Sequence, residues 1–354
     1  MSLESEINWS LLEVARNLRM LTQKSVSEAT GISQAALSKA EHDVQPLSEN
    51  AFANLCNFYD LPLGFFYQRS NAPLGHLYFR RKLTLSDKII DGFLAKVRIF
   101  MMIVDELTDG VEMPGFDLDS YRVSEESTPS DIAKKIRYDL KIYQGAMPNM
   151  VDTLEAHGII IIPFDFGTEK IDGLSTVTQK NHVLMFINRT MPNDRIRYSM
   201  AHELGHIVMH LEHAPRNASE VENEADEFAS ELLMPEEEMK KQLHDFRLEL
   251  LPVLKKKWKV SMRALIRRAK DLECISAQQY RNFQIYFSKN GYNKREPINL
   301  PAEVPALWKA LLSLYKDEWN YTDKQLMSVM HVNERDYKQW ITPWPKIIDL
   351  QTLM

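Results

Sequence analysis

The chain has 354 residues, enough for two or three domains that each bury a core, and 44% hydrophobic with 26% charged residues is ordinary for a globular protein. A formal charge of −6 excludes global attraction to nucleic acid or membrane, so any such contact must be local. Cys56 and Cys274 are too few and too far apart for a disulfide framework or a thiolate metal site, which fits a reducing cytoplasm. The acidic opening MSLESEINWS lacks the features of a signal peptide, and the apolar runs Ile99–Val104 and Gly158–Phe164 are too short to span a bilayer. The expectation is a cytoplasmic, multidomain, mainly α protein.

From Trp9 to Tyr67 the sequence predicts short helices, with Leu11, Leu12, Ala15, Leu18 and Leu21 at helical spacing. Residues 21–55 have the layout of a helix-turn-helix. Gly31 supplies the tight turn, Ala29 permits close packing, and Ile32 and Leu37 anchor the second helix. Ser33, Gln34, Ala35, Ser38 and Lys39 fall on or near its exposed face, where they reach base edges and phosphates, and Gln23 contacts phosphate. The alternative is a protein–protein bundle, since residues 1–70 hold five Lys/Arg against eight Asp/Glu.

Asn71 to Gly75 is a turn-rich boundary, and Ser86 to Leu107 one long amphipathic helix. Gly110 to Pro129 reads as an acidic linker, followed by helices at 130–140, with Ser130 as N-cap, and 149–157. Gly158–Pro163 and His182–Asn188 read as strands, and a helix bearing His202 follows, the order of a small α+β domain. Lys255 to Lys270 holds eight basic residues and no acidic one. It is either a second phosphate-contacting surface or the solvated face of a helix packed through Trp258, Val260, Leu265 and Ile266; the stretch VSMRALIRRAKDLECIS itself reads as a helix-turn-helix-like pair. Residues 301–354 are Trp-rich and helical, a partner-binding or dimerisation piece, and no internal repeat is visible.

The chemistry concentrates in YSMAHELGHIVMH, Tyr198 to His210. His202 and His206, one helical turn apart, can hold Zn²⁺ through imidazole nitrogens, and Glu203 can take a proton from water there. Apolar neighbours imply a buried helix, where partnerless imidazoles and a carboxylate are costly. A catalytic zinc needs a third ligand. The extended pattern His-Glu-x-x-His-x-x-Gly-x-x-His is excluded, because Met209 and Glu212 occupy the required positions. The segment SEVENEADEFASELLMP offers Glu222, with Asp226 one turn on to orient a ligand histidine. Glu220 and Glu224 are rival carboxylates, and Glu222 is alternatively the acidic half of a capping box begun by Ser219. His210 reads as a helix-end histidine near the pocket. Tyr198 and His210 are the candidates for stabilising an oxyanion.

RYSMAHELGHIVMH followed by VENEADEFASELLMP is similar to the ImmA/IrrE family of gluzincin-like zinc metallopeptidases. LEAHGIIIIPFDF, KIDGLS and FINRTMPNDRIRYSMAHE extend the resemblance over roughly residues 128 to 290. It implies a zincin-like α+β core, one Zn²⁺ on His202, His206 and Glu222, and Glu203 as catalytic acid/base. From Leu12 to Tyr67 the chain resembles the XRE (Cro/repressor-like) family, which implies operator DNA as a partner, bound by a dimer. The expected domains are 1–70 helix-turn-helix, 71–127 helical connector, 128–250 peptidase and 251–354 helical C-terminal region. The combination implies a DNA-binding regulator that hydrolyses one peptide bond in an XRE-like repressor or antitoxin, or in itself. The alternative is a non-enzymatic repressor or antitoxin whose zinc domain is a structural or sensing platform.

Overall fold

In the computed structural model, residues 7–68, 85–211, 217–244, 246–293 and 295–341 are described. The turn-rich boundary expected at 71–75 and the last residues of the C-terminal piece lie outside them. Four helices open the chain: α1 (Leu11–Leu18), α2 (Gln23–Thr30), α3 (Gln34–Glu41) and α4 (Glu49–Tyr59), followed by a 3₁₀ turn at Leu63–Tyr67. Next come α5 (Asp87–Leu107), α6 (Pro129–Asp139) and α7 (Met150–Ala156), then the strands β1 (Ile159–Phe164), β2 (Gly173–Val177) and β3 (Val183–Asn188). Beyond the sheet lie α8 (Asn193–His210), α9 (Ala218–Leu233), α10 (Glu236–Leu243), α11 (Leu251–Trp258), α12 (Met262–Asp271) and α13 (Ala277–Lys289). The described chain closes with α14 (Leu307–Ser313), α15 (Asp323–Val329) and α16 (Glu334–Trp340). None of these helices is long and apolar enough to cross a membrane.

The sheet has the order β1-β3-β2, with β1 parallel and β2 antiparallel to β3. Because successive strand residues face opposite sides, the sheet divides two hydrophobic cores. Ile160, Ile162, Phe164, Leu174, Leu184 and Phe186 join a core with α1, α4, α5 and the C-terminal helices. Ile159, Ile161, Val183, Met185 and Ile187 join another with α6 to α13.

Within the segment expected as a helical connector, α5 is central to the first core and buries Phe93, Val97, Ile99, Phe100, Ile103, Val104 and Leu107. Two sequence expectations need correction. Ser130 is not the N-cap of α6. Thr128 is, in a capping box with Asp131, because Pro129 suits the first helical position and leaves the cap one residue earlier. Ala29 is exposed, so helix packing there rests on Val26.

Candidate metal centre and DNA-facing helix

Helix α8 lies against the sheet and α9, and its His202, Glu203, His206 and His210 are all buried. Gly205 sets the approach of α9: a Cβ there would come within 3.0 Å of the Phe228 ring and 3.4 Å of the Ala225 Cα. That closeness brings Glu222 over both imidazoles. His202 Nε2 and His206 Nε2 lie 3.0 Å apart, and each is 3.5 Å from an oxygen of Glu222. The three donor atoms fall within 4.8 Å of one another. Tetrahedral zinc, with ligands at about 2.0–2.1 Å, has donor–donor edges of about 3.3 Å. The donor set therefore fits the ion in chemistry and in spacing.

The start of α9 separates the rival carboxylates. Asn217, not Ser219, caps the helix, its side chain accepting from Ser219 N at 3.1 Å, so Glu222 is not half of a Ser219 capping box. Glu220 is exposed. Glu224 reaches His210 instead, 2.9 Å from its Nε2, and His210 Nδ1 is 3.0 Å from His206 Nδ1. Asp226 lies 3.0 Å from His202 Nδ1. Each candidate ligand imidazole is thus backed on its far nitrogen, His202 by a carboxylate and His206 by a His210–Glu224 dyad, an arrangement that fixes tautomer and ring angle. The Tyr198 hydroxyl lies 3.2 Å from the Asp226 carbonyl and 3.0 Å from Ser230 Oγ, so both oxyanion candidates are engaged in the framework around the site.

Glu203 projects toward β2, where Ser175 Oγ donates to its Oε2 at 2.8 Å. Burial pushes its carboxyl up to about 8, the nearby Glu222 charge adding to the rise and the Ser175 hydrogen bond opposing it. Burial also acts to raise Glu222, but the two imidazoles prevail and hold it down at about 2. A Cβ at Gly173 would sit 3.0 Å from Glu203 Cγ and 3.1 Å from Oε1, so glycine leaves room for the Glu203 side chain. The sequence reading missed β2 as a strand and Ser175 as a partner of Glu203. The segment GLSTV lacks the apolar run that marked β1 and β3, and its one signal was the KIDGLS stretch within the family resemblance.

In the N-terminal bundle, Thr22 and Ser25 form a capping box at the start of α2, Gly31 ends it with φ +74°, and Ser33 caps α3. Val26, Leu37 and Ala40 are buried beneath. Gln34, Ala35 and Lys39 are exposed and Ser38 half-buried, while the Ser33 hydroxyl accepts from Ala36 N at 3.2 Å. Gln23 donates to Glu41 Oε2 at 2.7 Å, and Glu41, buried, also pairs with Arg16 through two hydrogen bonds of 2.7 and 2.9 Å.

Residues 12–66 match a helix-turn-helix family model, and residues 154–270 match that of the IrrE N-terminal-like domain. The chain carries an XRE-type helix-turn-helix and an ImmA/IrrE-like peptidase domain. No curated protein matches the chain. Within the IrrE-like domain two members of the basic run Lys255–Lys270 are built into the core, while Lys256, Lys257, Arg263 and Arg267 are exposed. Lys255 is buried and donates to Asp194 Oδ2 at 2.5 Å and Glu296 Oε2 at 2.6 Å. Arg268 is buried against Glu231 and the Met234 carbonyl, and Arg267 pairs with Asp271. Buried charges persist only when paired in this way.

Proposed function

We propose that this chain is a DNA-binding transcriptional regulator whose IrrE-like domain is a gluzincin-like, zinc-dependent endopeptidase acting in the cytoplasm. The observation that carries the proposal is the triangle of His202 Nε2, His206 Nε2 and Glu222, with edges of 3.0 and 3.5 Å, beside a buried carboxyl that takes no part in it. These three residues would hold one Zn²⁺, which would supply Lewis acidity toward the scissile carbonyl and water. Glu203, ionised when a bound cation offsets its burial, takes the proton of the attacking water and returns it to the departing amine. Ser175 holds Oε2, leaving Oε1 beside Gly173 as the atom that carries the proton. Asp226 and the His210–Glu224 dyad keep the two imidazoles turned toward the ion.

The substrate we propose is an XRE-like repressor or antitoxin, or this chain itself, cleaved in a stress or mobile-element response. Operator DNA is read by a dimer through Gln34, Ala35, Ser38 and Lys39, with Ser33 and Gln23 at the edge of that surface. The test incubates wild type and Glu203→Gln, each loaded with Zn²⁺, with the proteins encoded beside it. A specific product from wild type alone is expected. No product from either, including from the chain itself, sinks the enzyme and leaves a zinc-bearing regulator. For DNA, a mobility shift on the promoter region should weaken with Gln34→Ala and Ser38→Ala combined.

A further inference from the structure

The turn of the N-terminal helix-turn-helix recurs twice along the chain. In the first unit Val26 is buried, Gly31 has φ +74°, Ile32 packs inward, Ser33 caps the next helix and Leu37 is buried. In α11–α12 the same offsets hold Leu254, Lys259 at φ +54°, Val260, the N-cap Ser261 and Leu265. In α15–α16 they hold Leu326, His331 at φ +51°, Val332, the N-cap Asn333 and Tyr337. The first and last units also open alike, with Thr22 and Thr322 each heading a capping box. A non-glycine residue in the left-handed region is uncommon, so its return at the same place marks one turn built three times. The sequence showed no repeat because the units share apolar class, cap chemistry and backbone sign, not residue identity.

What separates the units is the exposure of the helix after the turn. The positions of Gln34 and Ser38 fall in α12 on Met262 and Ile266, both buried in the peptidase core, so of the four positions that unit exposes only Arg263 and Arg267, at the places of Ala35 and Lys39. In α16 they fall on Glu334 and Lys338, with Arg335 and Gln339 at the places of Ala35 and Lys39, and all four are exposed. The inward side of this last unit is fixed to the N-terminal domain. Arg19 donates to both oxygens of Asp336, at 2.9 and 2.8 Å, and Asn333 Nδ2 donates to Asp60 Oδ2 at 2.7 Å. Gly64 admits the His331 ring where a Cβ would lie 2.5 Å away.

We propose that α15–α16 is a second DNA-reading helix-turn-helix, with Arg335, Lys338 and Gln339 as its contacts to duplex DNA. Arginine pairs with guanine, glutamine with adenine, and lysine with guanine or a phosphate, so this face, like that of α3, offers three groups able to read bases. With Asp336 held by Arg19, the helix is anchored from behind, and on its outer face Lys338 pairs with Glu334 in an exposed contact that a phosphate can replace. The proposal rests on the DNA-binding reading of α2–α3.

Its test is selection of bound sequences from a randomised 40-base-pair duplex library by the full chain, followed by affinity measurement at fixed salt. Wild type is compared with Gln34→Ala plus Ser38→Ala, and with Arg335→Ala plus Gln339→Ala. The expected wild-type motif has two segments; each variant loses one of them and binds about tenfold or more weakly. Both α16 side chains are exposed, so an unchanged melting temperature confirms that the second variant folds. If that variant selects the wild-type motif with unchanged affinity while the first loses its segment, this inference alone fails. If neither variant changes selection, DNA reading by α3 fails with it. Unchanged DNA binding together with an altered sedimentation coefficient would make the face a protein surface and overturn the proposal.

Discussion

The two faces of the three-stranded sheet carry the same kind of strand residue and do different work. On one, Ile160, Ile162, Phe164, Leu184 and Phe186 meet α5 and the C-terminal helices, and Phe100 stacks edge-on to Phe164 and Phe186 with ring centroids 5.8 and 5.9 Å apart. That face joins the DNA-binding bundle to the peptidase sheet through continuous apolar contact. On the other, Ser175 breaks the apolar pattern and holds Glu203 against α8. The first face thus stabilises, whereas the second also fixes the Glu203 carboxyl through Ser175 on the edge strand.

The sharpest break of that contrast is Glu203→Gln. It should lower peptidase turnover by roughly 10²–10⁴-fold while zinc content, measured by elemental analysis, stays at wild type. Loss of zinc instead would make Glu203 part of the metal framework. On the opposite face, Phe186→Ala should destabilise the chain by about 3–5 kcal/mol and leave zinc content unaltered once folded. Calorimetry should show helix-turn-helix and peptidase melting together at a lower temperature; an N-terminal transition that stays in place would mean the core is not shared.

A smaller effect is expected behind the metal. His210→Asn should weaken zinc binding by roughly 10–100-fold in chelator competition, with Glu224→Gln acting in the same direction, whereas Glu222→Ala should abolish loading. Loading that survives Glu222→Ala but not Glu224→Ala would reassign the third ligand. The mildest signature is in pH. Glu203 in the folded, metal-free chain ionises at about 8 rather than at the usual 4.5, so between those values the unfolded chain holds fewer protons. Stability of metal-free wild type should therefore fall as pH rises from about 5 to 8, and the gap to Glu203→Gln in melting temperature should widen in favour of the variant. Parallel curves would show that the carboxyl is not held protonated.

Much of this protein was legible without coordinates where function rests on local spacing. His202 and His206 share a helix face because α-helical pitch places i and i+4 together, and Gly31-Ile32-Ser33 marks a turn because glycine tolerates a positive φ and serine caps the helix that follows. Strands β1 and β3 announced themselves by unbroken apolar runs. Asp226 one turn on and the family resemblance favour Glu222 over its rival Glu224, although both lie on the same stretch of chain. Only the packing of α9 on α8 through Gly205 and Ala225 settled which of them faces the imidazole pair.

Ser175 as partner of Glu203, α5 as a core helix, and the burial of Lys255 and Arg268 are all long-range facts. Each depends on which surface arrives opposite a residue far along the chain, and composition is silent on that. The sequence by itself determined the local grammar: pitch, caps, turns and the kinds of donor available. Tertiary structure decided which copies of a shared turn face outward and which donors converge, because burial and partner choice belong to the packed whole.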